Sequence, residues 1–552
     1  MNFLRFNNQI NKVIPLFKNK YNILINNELF VIKKYSTNAM SLKMRFLNYL
    51  IPNQSNFNNI TSGKQIYDKN NKNTTRSSCE KNNIQQIDIY NKTFWKQNFE
   101  KETMMLIFQK ENYTELRKYL KKIDAKCCRL LNKLSTSEII QLLNILMRID
   151  ESHITNTKFY NDAILILKIA LKRDQLNYQE TFLLLFFASL KKKEGAQDVK
   201  YIKKCLPSFN NLSLVDKSIL ADALFKCSVK LKKFEERSIE EVLENEAEFL
   251  IKEKHLLIPL CKVIRHVGPS KNFNVENFNR ALINSTEHFN LMFCGHVLNL
   301  YAETKLRVDN VLLKLYTDAF ASLRHNNIYR VKDIDNLVWS AAMLNYQLKD
   351  EDLSEIEKCI ERKFVIFKAE YTKLLNIIIS LWMLKYKSKE LIHKCFRNRI
   401  FHPIIQNCND WKSKEKLQLL ISCIKIEAPD IDIPLELVDP YNLQIKVEKN
   451  HKLIYKEIQK IRHELDLVDL NITNPIKGIH IPSICMKYGD NKIAYVDLLD
   501  ETTCLRNSIE PHGLMKLKLR LLTNSECKSI VIENEYRNDS NKLNEHLYKI
   551  LM

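Results

Sequence analysis

The chain is 552 residues long, 45% hydrophobic and strongly basic, with 86 Lys and Arg against 64 Asp and Glu for a formal charge of +22. Its length and apolar content suit several domains or one extended repeat array, and its charge points to a polyanionic partner, nucleic acid or an anionic membrane, because neutralising phosphates releases condensed counterions. Only 7 glycines occur, in no G-x-x-x-x-G-K-[ST] or G-x-G-x-x-G arrangement, which excludes P-loop kinases and nucleotide-dependent dehydrogenases; the 14 cysteines form no C-x-x-C pair and read as buried thiols of a reducing compartment.

Residues 1–40 read as a mitochondrial transit peptide directed to the matrix. The first fifty residues hold one acid, Glu28, against cations such as Arg5, Lys12, Lys18 and Lys20, interleaved with Phe3, Leu4, Ile10 and Val13. Such an acid-poor amphipathic helix is drawn by a negative-inside potential, and no unbroken apolar stretch suggests secretion instead. Residues 41–92 read as a disordered linker rich in Asn and Lys, which cannot bury enough apolar surface to offset chain entropy.

From 93 to 428 the text is helical. Ile334, Leu337, Val338, Ala341 and Leu344 share one helix face, with Asp333 as the expected cap, and Leu353, Ile356 and Ile360 form the stripe of a second helix. Met343-Leu344-Asn345-Tyr346 is echoed by Met383-Leu384-Lys385-Tyr386. Met147, Leu190, Cys227, Ile264, Leu306, Leu344, Leu384 and Ile424, spaced by 37 to 43 residues, mark the ends of successive first helices, the spacing of a paired-helix α-solenoid. The longest apolar runs, Phe182–Phe187 and Ile377–Leu384, fall far short of the roughly 20 residues a membrane helix requires. Cys294-Gly295-His296 has no second pair at metal-site spacing, so no metal is expected. Lys191, Lys192 and Lys193, Lys203 and Lys204, and Lys230, Lys232 and Lys233 flank the helix-end positions and are candidates for an RNA-tracking edge, interrupted by the acidic run Glu235–Glu248.

Pro429, Pro434 and Pro440 break the helices, so 429–470 reads as a hinge and a connecting helix, about Asn442 to Asp469. In 471–552, Ile481–Met486 and Ile493–Val496 read as a hairpin about Tyr488-Gly489-Asp490-Asn491, and Ser529–Ile532 as a buried strand before a terminal helix. On the helix His512–Leu522, Lys516 and Arg520 lie one turn apart and Lys518 points elsewhere. These three, with Asp497 on the preceding strand, complete the candidate RNA-binding set.

This order of hairpin, basic helix, buried strand and terminal helix resembles the RAP domain, an RNA-associated module abundant in apicomplexan parasites, with a restriction-endonuclease-like α/β fold. Asp335-Asn336-Leu337-Val338-Trp339-Ser340-Ala341-Ala342-Met343-Leu344-Asn345-Tyr346 resembles the degenerate helical repeats, of the octotricopeptide, heptatricopeptide and Fas-activated-kinase-like kinds, that precede such domains. The resemblance implies a non-enzymatic, cofactor-free mitochondrial RNA-binding protein, acting on rRNA or mRNA stability, processing or ribosome assembly. The family pattern is incomplete: Tyr495-Val496-Asp497-Leu498 keeps only Asp497 of the expected acid-x-Asp-Gly, and Asn534-Glu535-Tyr536 lacks the expected tryptophan. A residual metal-dependent nuclease would have only Asp497, Asp500, Glu533 and Lys528 to draw on. The alternative function is a structural component of the mitochondrial ribosome or another large complex, binding mainly mitochondrial ribosomal or other protein.

Overall fold

The computed structural model describes residues 42–50, 113–149, 154–438, 449–489, 492–533, 542, 543, 545, 548 and 549, less 269–272, 274, 326–328, 408–409 and 526. The expected transit peptide, most of the expected linker and most of the expected terminal helix lie outside these residues. The fold is mainly helical and closes with a small four-stranded mixed sheet. It forms two compact units, Met1–Lys230 and Leu231–Met552, so the boundary falls inside the stretch read as one repeat array.

The first unit contains α1 (Leu42–Leu50), α2 (Tyr113–Leu130), α3 (Thr136–Ile149), α4 (Lys158–Lys172), α5 (Tyr178–Ser189), α6 (Ala196–Cys205) and α7 (Leu214–Cys227). Helix α1 begins the stretch read as linker, yet Phe46, Leu47 and Leu50 are buried and it rests on α5. Three apolar side chains on one face suffice to dock it despite its polar surroundings. Helix α5 is buried all round, from Thr181 to Ser189, among α3, α4, α6 and α7. That is why Phe182–Phe187 is an unbroken apolar run: it is the centre of a core. Among the described residues no helix is long and apolar enough to cross a membrane.

The second unit contains α8 (Lys233–Asn245), α9 (Ala247–Lys252), α10 (Lys254–Val267), α11 (Glu276–Asn284), α12 (Leu291–Thr304), α13 (Asp309–His325), α14 (Val331–Met343), α15 (Asp350–Arg362), α16 (Phe364–Ala369), α17 (Tyr371–Met383), α18 (Lys389–Arg397), α19 (His402–Gln406) and α20 (Trp411–Glu427). Helices α10, α12, α14, α17 and α20 pack one against the next, and α9, α11 and α13 form a second row beside them. Every marker from Met147 to Ile424 lies at or within a turn of a helix end. Several of these ends share one chemistry. Ser228, Lys305, Asn345 and Lys385 are left-handed, with φ of 53°, 56°, 53° and 66°. The next amide donates back across the turn: Val229 to the Leu224 carbonyl (3.0 Å), Leu306 to Tyr301 (2.9 Å), Tyr346 to Ala341 (3.0 Å) and Tyr386 to Leu381 (2.9 Å). This is the Schellman closure, which satisfies carbonyls that a helix end leaves open and is here made by polar residues rather than glycine.

The apolar stripe of α14 is buried as expected, from Ile334 to Leu344. Asp333 is not its cap, however, because buried Val331 extends the helix by a further turn. Asp333 sits third in the helix and accepts from the Arg330 backbone N–H (3.3 Å) and guanidinium (2.6 and 3.0 Å).

The terminal module consists of α21 (Lys449–Lys460), β1 (Leu467–Thr473), β2 (Ser483–Tyr488), β3 (Ile493–Leu499), α22 (Gly513–Asn524) and β4 (Lys528–Glu533), with strand order β1-β2-β3-β4. The first three strands are antiparallel; β4 runs parallel to β3, reached through α22. The connecting helix expected to reach Asp469 ends at Lys460, and β1 follows as an unexpected edge strand. An irregularity between Leu467 and Asp469 turns Leu467 and Leu470 both inward, a three-residue spacing that imitates a helix. Ile454 and Ile458 of α21 pack with Ile484, Met486, Val496, Leu498, Ile530 and Ile532 in the module's core.

The module is seated directly on the helical rows of its unit. Helix α22 lies against α14, α17 and α20. At Gly513 a Cβ would stand 1.8 Å from the Ala342 carbonyl oxygen, and at Gly478, where φ is +82°, 2.4 Å from the Glu415 carbonyl oxygen. Only glycine permits these approaches.

Candidate nucleic-acid interface

The basic helix α22 spends most of its charge inside the protein. Lys518 is fully buried; its ammonium pairs with Asp497 and donates to the carbonyls of Ile481 (2.7 Å) and Pro482 (3.3 Å). Asp497 also accepts from the Ser483 hydroxyl at 2.7 Å. Burial lowers the Lys518 pKa, and Asp497 opposes that shift. Arg520 donates through Nε to Glu427 Oε1 (2.8 Å) and through Nη2 and Nη1 to the carbonyls of Trp382 (2.9 Å) and Met383 (3.2 Å), closing the end of α17. Lys518, Arg520 and Asp497, expected to serve RNA, are therefore committed to holding β2, β3 and α17. Lys516, 55% exposed and 3.8 Å from Glu510, alone among these four presents its charge outward.

The helix-end lysines divide similarly. Lys191 is half-buried with its ammonium 5.7 Å from the Tyr160 ring centre, and Lys203 is half-buried, whereas Lys192, Lys193, Lys204, Lys230 and Lys232 are exposed or partly so. Lys232 opens α8, where its N–H donates to Glu235 Oε2 at 2.8 Å, and Lys233 follows as its first residue.

A different set of polar residues is brought together on the row of helices. Counted from the left-handed caps Lys305, Asn345 and Lys385, helices α12, α14 and α17 keep a 40-residue register. One position of this register, continued into α20, reads His296, Asn336, Asn376 and Lys416. The Asn299 amide donates to Asn336 Oδ1 at 3.0 Å, and the Lys416 ammonium donates to Asn376 Oδ1 at 2.8 Å, linking α12 to α14 and α17 to α20. Around this row stand Lys262, Arg265, Arg330, Lys332, Lys373 and Lys412, close enough to perturb one another. Burial lowers the pKa of Lys332, and Arg265, Arg330 and Lys373 lower it further. Burial likewise holds His296 well below 6.5, reinforced by Lys262, Arg265, Lys332 and Arg330. Nε and Nη1 of Arg265 and Nδ1 of His296 are buried without a hydrogen-bond partner among the described residues. Asp335 is one of the acids beside the row, with Asp333 paired to Arg330, Glu370 paired to Lys373, and Asp410 and Glu303 acting on Lys416. Burial raises the Asp335 pKa to about 6, against the pull of Lys416, Lys373 and Lys332 and a hydrogen bond with Asn376.

Arg330 is paired with Asp333 and Lys373 with Glu370, but where partly desolvated cations outnumber the acids beside them, an incoming anion with several oxygens relieves them. The amides beside them can donate and accept, as phosphates and base edges require. The sequence reading missed this row because it set the repeat from Leu306, Leu344 and Leu384, one residue past the left-handed cap in the first case and one before it in the other two. The 40-residue recurrence was the available signal.

The acids named for a nuclease do not gather into one site. Asp497 is buried beneath α22, while Asp500 and Glu533 line a cleft of about 590 Å³ with Glu303, Lys305, Glu501 and Arg506. Asp500 accepts from the Thr502 N–H (2.8 Å), its hydroxyl (2.6 Å) and the Asn450 amide (3.0 Å), contacts that hold its pKa down against burial. Among the described residues no three of His, Cys, Asp and Glu converge so as to hold a metal ion. Cys294 is buried, its thiol directed at the Phe289 carbonyl (3.8 Å), away from His296's place in the polar row. Comparison with known proteins finds no family model that matches this chain and no matching curated protein.

Proposed function

We propose that the protein is a non-catalytic RNA-binding protein that holds a phosphate backbone along the polar row of α10, α12, α14, α17 and α20. In this reading those helices stack as a solenoid of 40-residue units, the terminal module is a divergent RAP-like cap, and the protein acts in mitochondrial RNA metabolism. The observation that carries it is the recurrence of His296, Asn336, Asn376 and Lys416 at one register position, ringed by cations whose charges oppose one another. A membrane surface is a poorer match, since the row is made of His296, two amides and Lys416 rather than an apolar insertion face. The outward lysines Lys192, Lys193, Lys204, Lys230 and Lys232, with Lys516, add long-range attraction.

The test is charge reversal within the row. Lys332→Glu combined with Lys416→Glu should weaken binding of a labelled single-stranded RNA by about tenfold or more at physiological salt, and reduce the salt slope by roughly 0.7 for each phosphate that is no longer neutralised. Unchanged affinity and unchanged slope would refute the assignment. A second reading, a structural component of a large complex, is favoured by one observation: an acid-lined cleft of about 690 Å³ among α8, α9 and α11, bearing Glu244, Glu246, Glu248 and Glu287. Crosslinking with RNA sequencing separates the two. Recovery of rRNA alone, with co-sedimenting ribosomal subunits, would favour the structural role.

A further inference from the structure

The N-terminal rim of the polar row carries an aromatic side chain that the packing does not need. Trp411 is the first residue of α20 and is 49% exposed, although a tryptophan loses more than any other side chain by facing water. Its helix is anchored without it: Asp410 caps the turn by accepting the Ser413 N–H at 3.3 Å, and Leu417, Leu420 and Ile424 supply the buried stripe. The Lys412 ammonium lies 5.5 Å from its ring centroid. Lys412 in turn is one helical turn from Lys416, which reaches Asn376 in the row. In the 40-residue register Trp411 is equivalent to Tyr371, the first residue of α17, so aromatic residues open two successive helices of the row beside its cations.

We propose that Trp411 is a stacking platform for an unpaired base, so that the row takes single-stranded rather than duplex nucleic acid. An exposed indole face gains most from a flat, polarisable partner, and a base can offer its face only when it is not stacked within a duplex. A phosphate bound to Lys412 and Lys416 places the attached nucleotide at the same rim. Lys412 then exchanges its contact with the ring for one with the phosphate. This assignment rests on the RNA-binding reading above and specifies its substrate class.

The experiment compares the full-length protein with Trp411→Ala, Trp411→Phe and the Lys332→Glu, Lys416→Glu pair, binding a fluorescein-labelled 12-nucleotide oligouridylate and a 12-base-pair RNA duplex by anisotropy at fixed salt. The platform requires Trp411→Ala to weaken oligouridylate binding by about 5- to 100-fold while leaving duplex binding within about twofold, and Trp411→Phe to retain most of the affinity. Thermal melting of each variant checks that the fold is kept, which the exposure of Trp411 leads us to expect. Weakened binding in the charge-reversed pair with none in Trp411→Ala would overturn the platform and leave the RNA reading standing. Equal weakening on single strand and duplex, or a preference of the wild type for the duplex, would overturn it as well. Indifference of both nucleic acids to charge reversal would remove the RNA reading itself.

Discussion

An acid placed among cations is ordinarily held ionised, but Asp335 is also largely removed from water, and burial prevails, raising its pKa from 3.8 to about 6. The sign of the consequence follows. In the folded protein the carboxylate is ionised above about pH 6, where it would oppose the phosphate of the proposed RNA ligand, and it is progressively neutral below that value. RNA affinity should therefore rise as pH falls from about 7.5 to about 5.5, and Asp335→Asn should bind about 3- to 10-fold more tightly at about pH 7.5 and lose most of this pH dependence. The same substitution should stabilise the free protein above about pH 6, because the cost of the buried charge is relieved as pH falls toward 3.8 and Asn never carries it. His296, whose pKa burial lowers well below 6.5, is a second titratable group of the row to compare. If His296→Asn rather than Asp335→Asn flattened the profile, the assignment to Asp335 would be wrong. Titrating RNA affinity for both variants across this pH range decides it.

At the scale of elements, the helices were legible because their apolar periodicity is the same signal that buries them, as Ile334, Leu337, Val338 and Ala341 illustrate. The strands β2, β3 and β4 were legible from β-branched runs and the turn between β2 and β3. Strand β1 was not, since its irregularity gives a helical spacing to Leu467 and Leu470. The role of α22 was obscured for a related reason. Lys518 and Arg520 look like surface cations in sequence, and only the tertiary partners Asp497 and Glu427 reveal them as internal. What could not be read locally is the seat of α22 on α14, made by Gly513 against Ala342. Gly513→Ala must push a methyl group against a backbone carbonyl that cannot yield, so it should cost about 1–3 kcal/mol, measured by chemical denaturation. The exposed Lys516→Ala on the same helix should fall within about 0.5 kcal/mol of wild type, and equal effects would contradict the close approach.

At the scale of the whole molecule, the proline-bearing segment after α20 does not release the terminal module from the helices of its own unit. Glu427, at the end of α20, is 1% exposed as a side chain and accepts from Arg520, the Trp382 indole N–H (2.7 Å) and the Asn524 amide (2.9 Å), joining α17, α20 and α22 in one network. Lys305, at the end of α12, donates to the carbonyls of Glu501 and Thr502, both at 2.8 Å, and the Asn345 amide donates to the Pro511 carbonyl at 2.6 Å. The left-handed helix ends Lys305 and Asn345 are thus also where the module attaches. A specific protease site introduced within 439–448 should consequently yield two fragments that still co-elute on size exclusion at neutral pH. Burial opposes ionisation of Glu427, yet Arg520, Trp382 and Lys387 together hold its pKa below 4.5. Its contribution to docking is therefore complete above that value and is lost as pH falls through the lowered one. The cut fragments should separate on acidification through that lowered value, and Arg520→Ala, which strands a buried carboxylate, should separate them near neutrality. Fragments that part at neutral pH in the wild type would show that residues 429–470 act as the hinge their prolines suggest, with the module held by its chain connection alone.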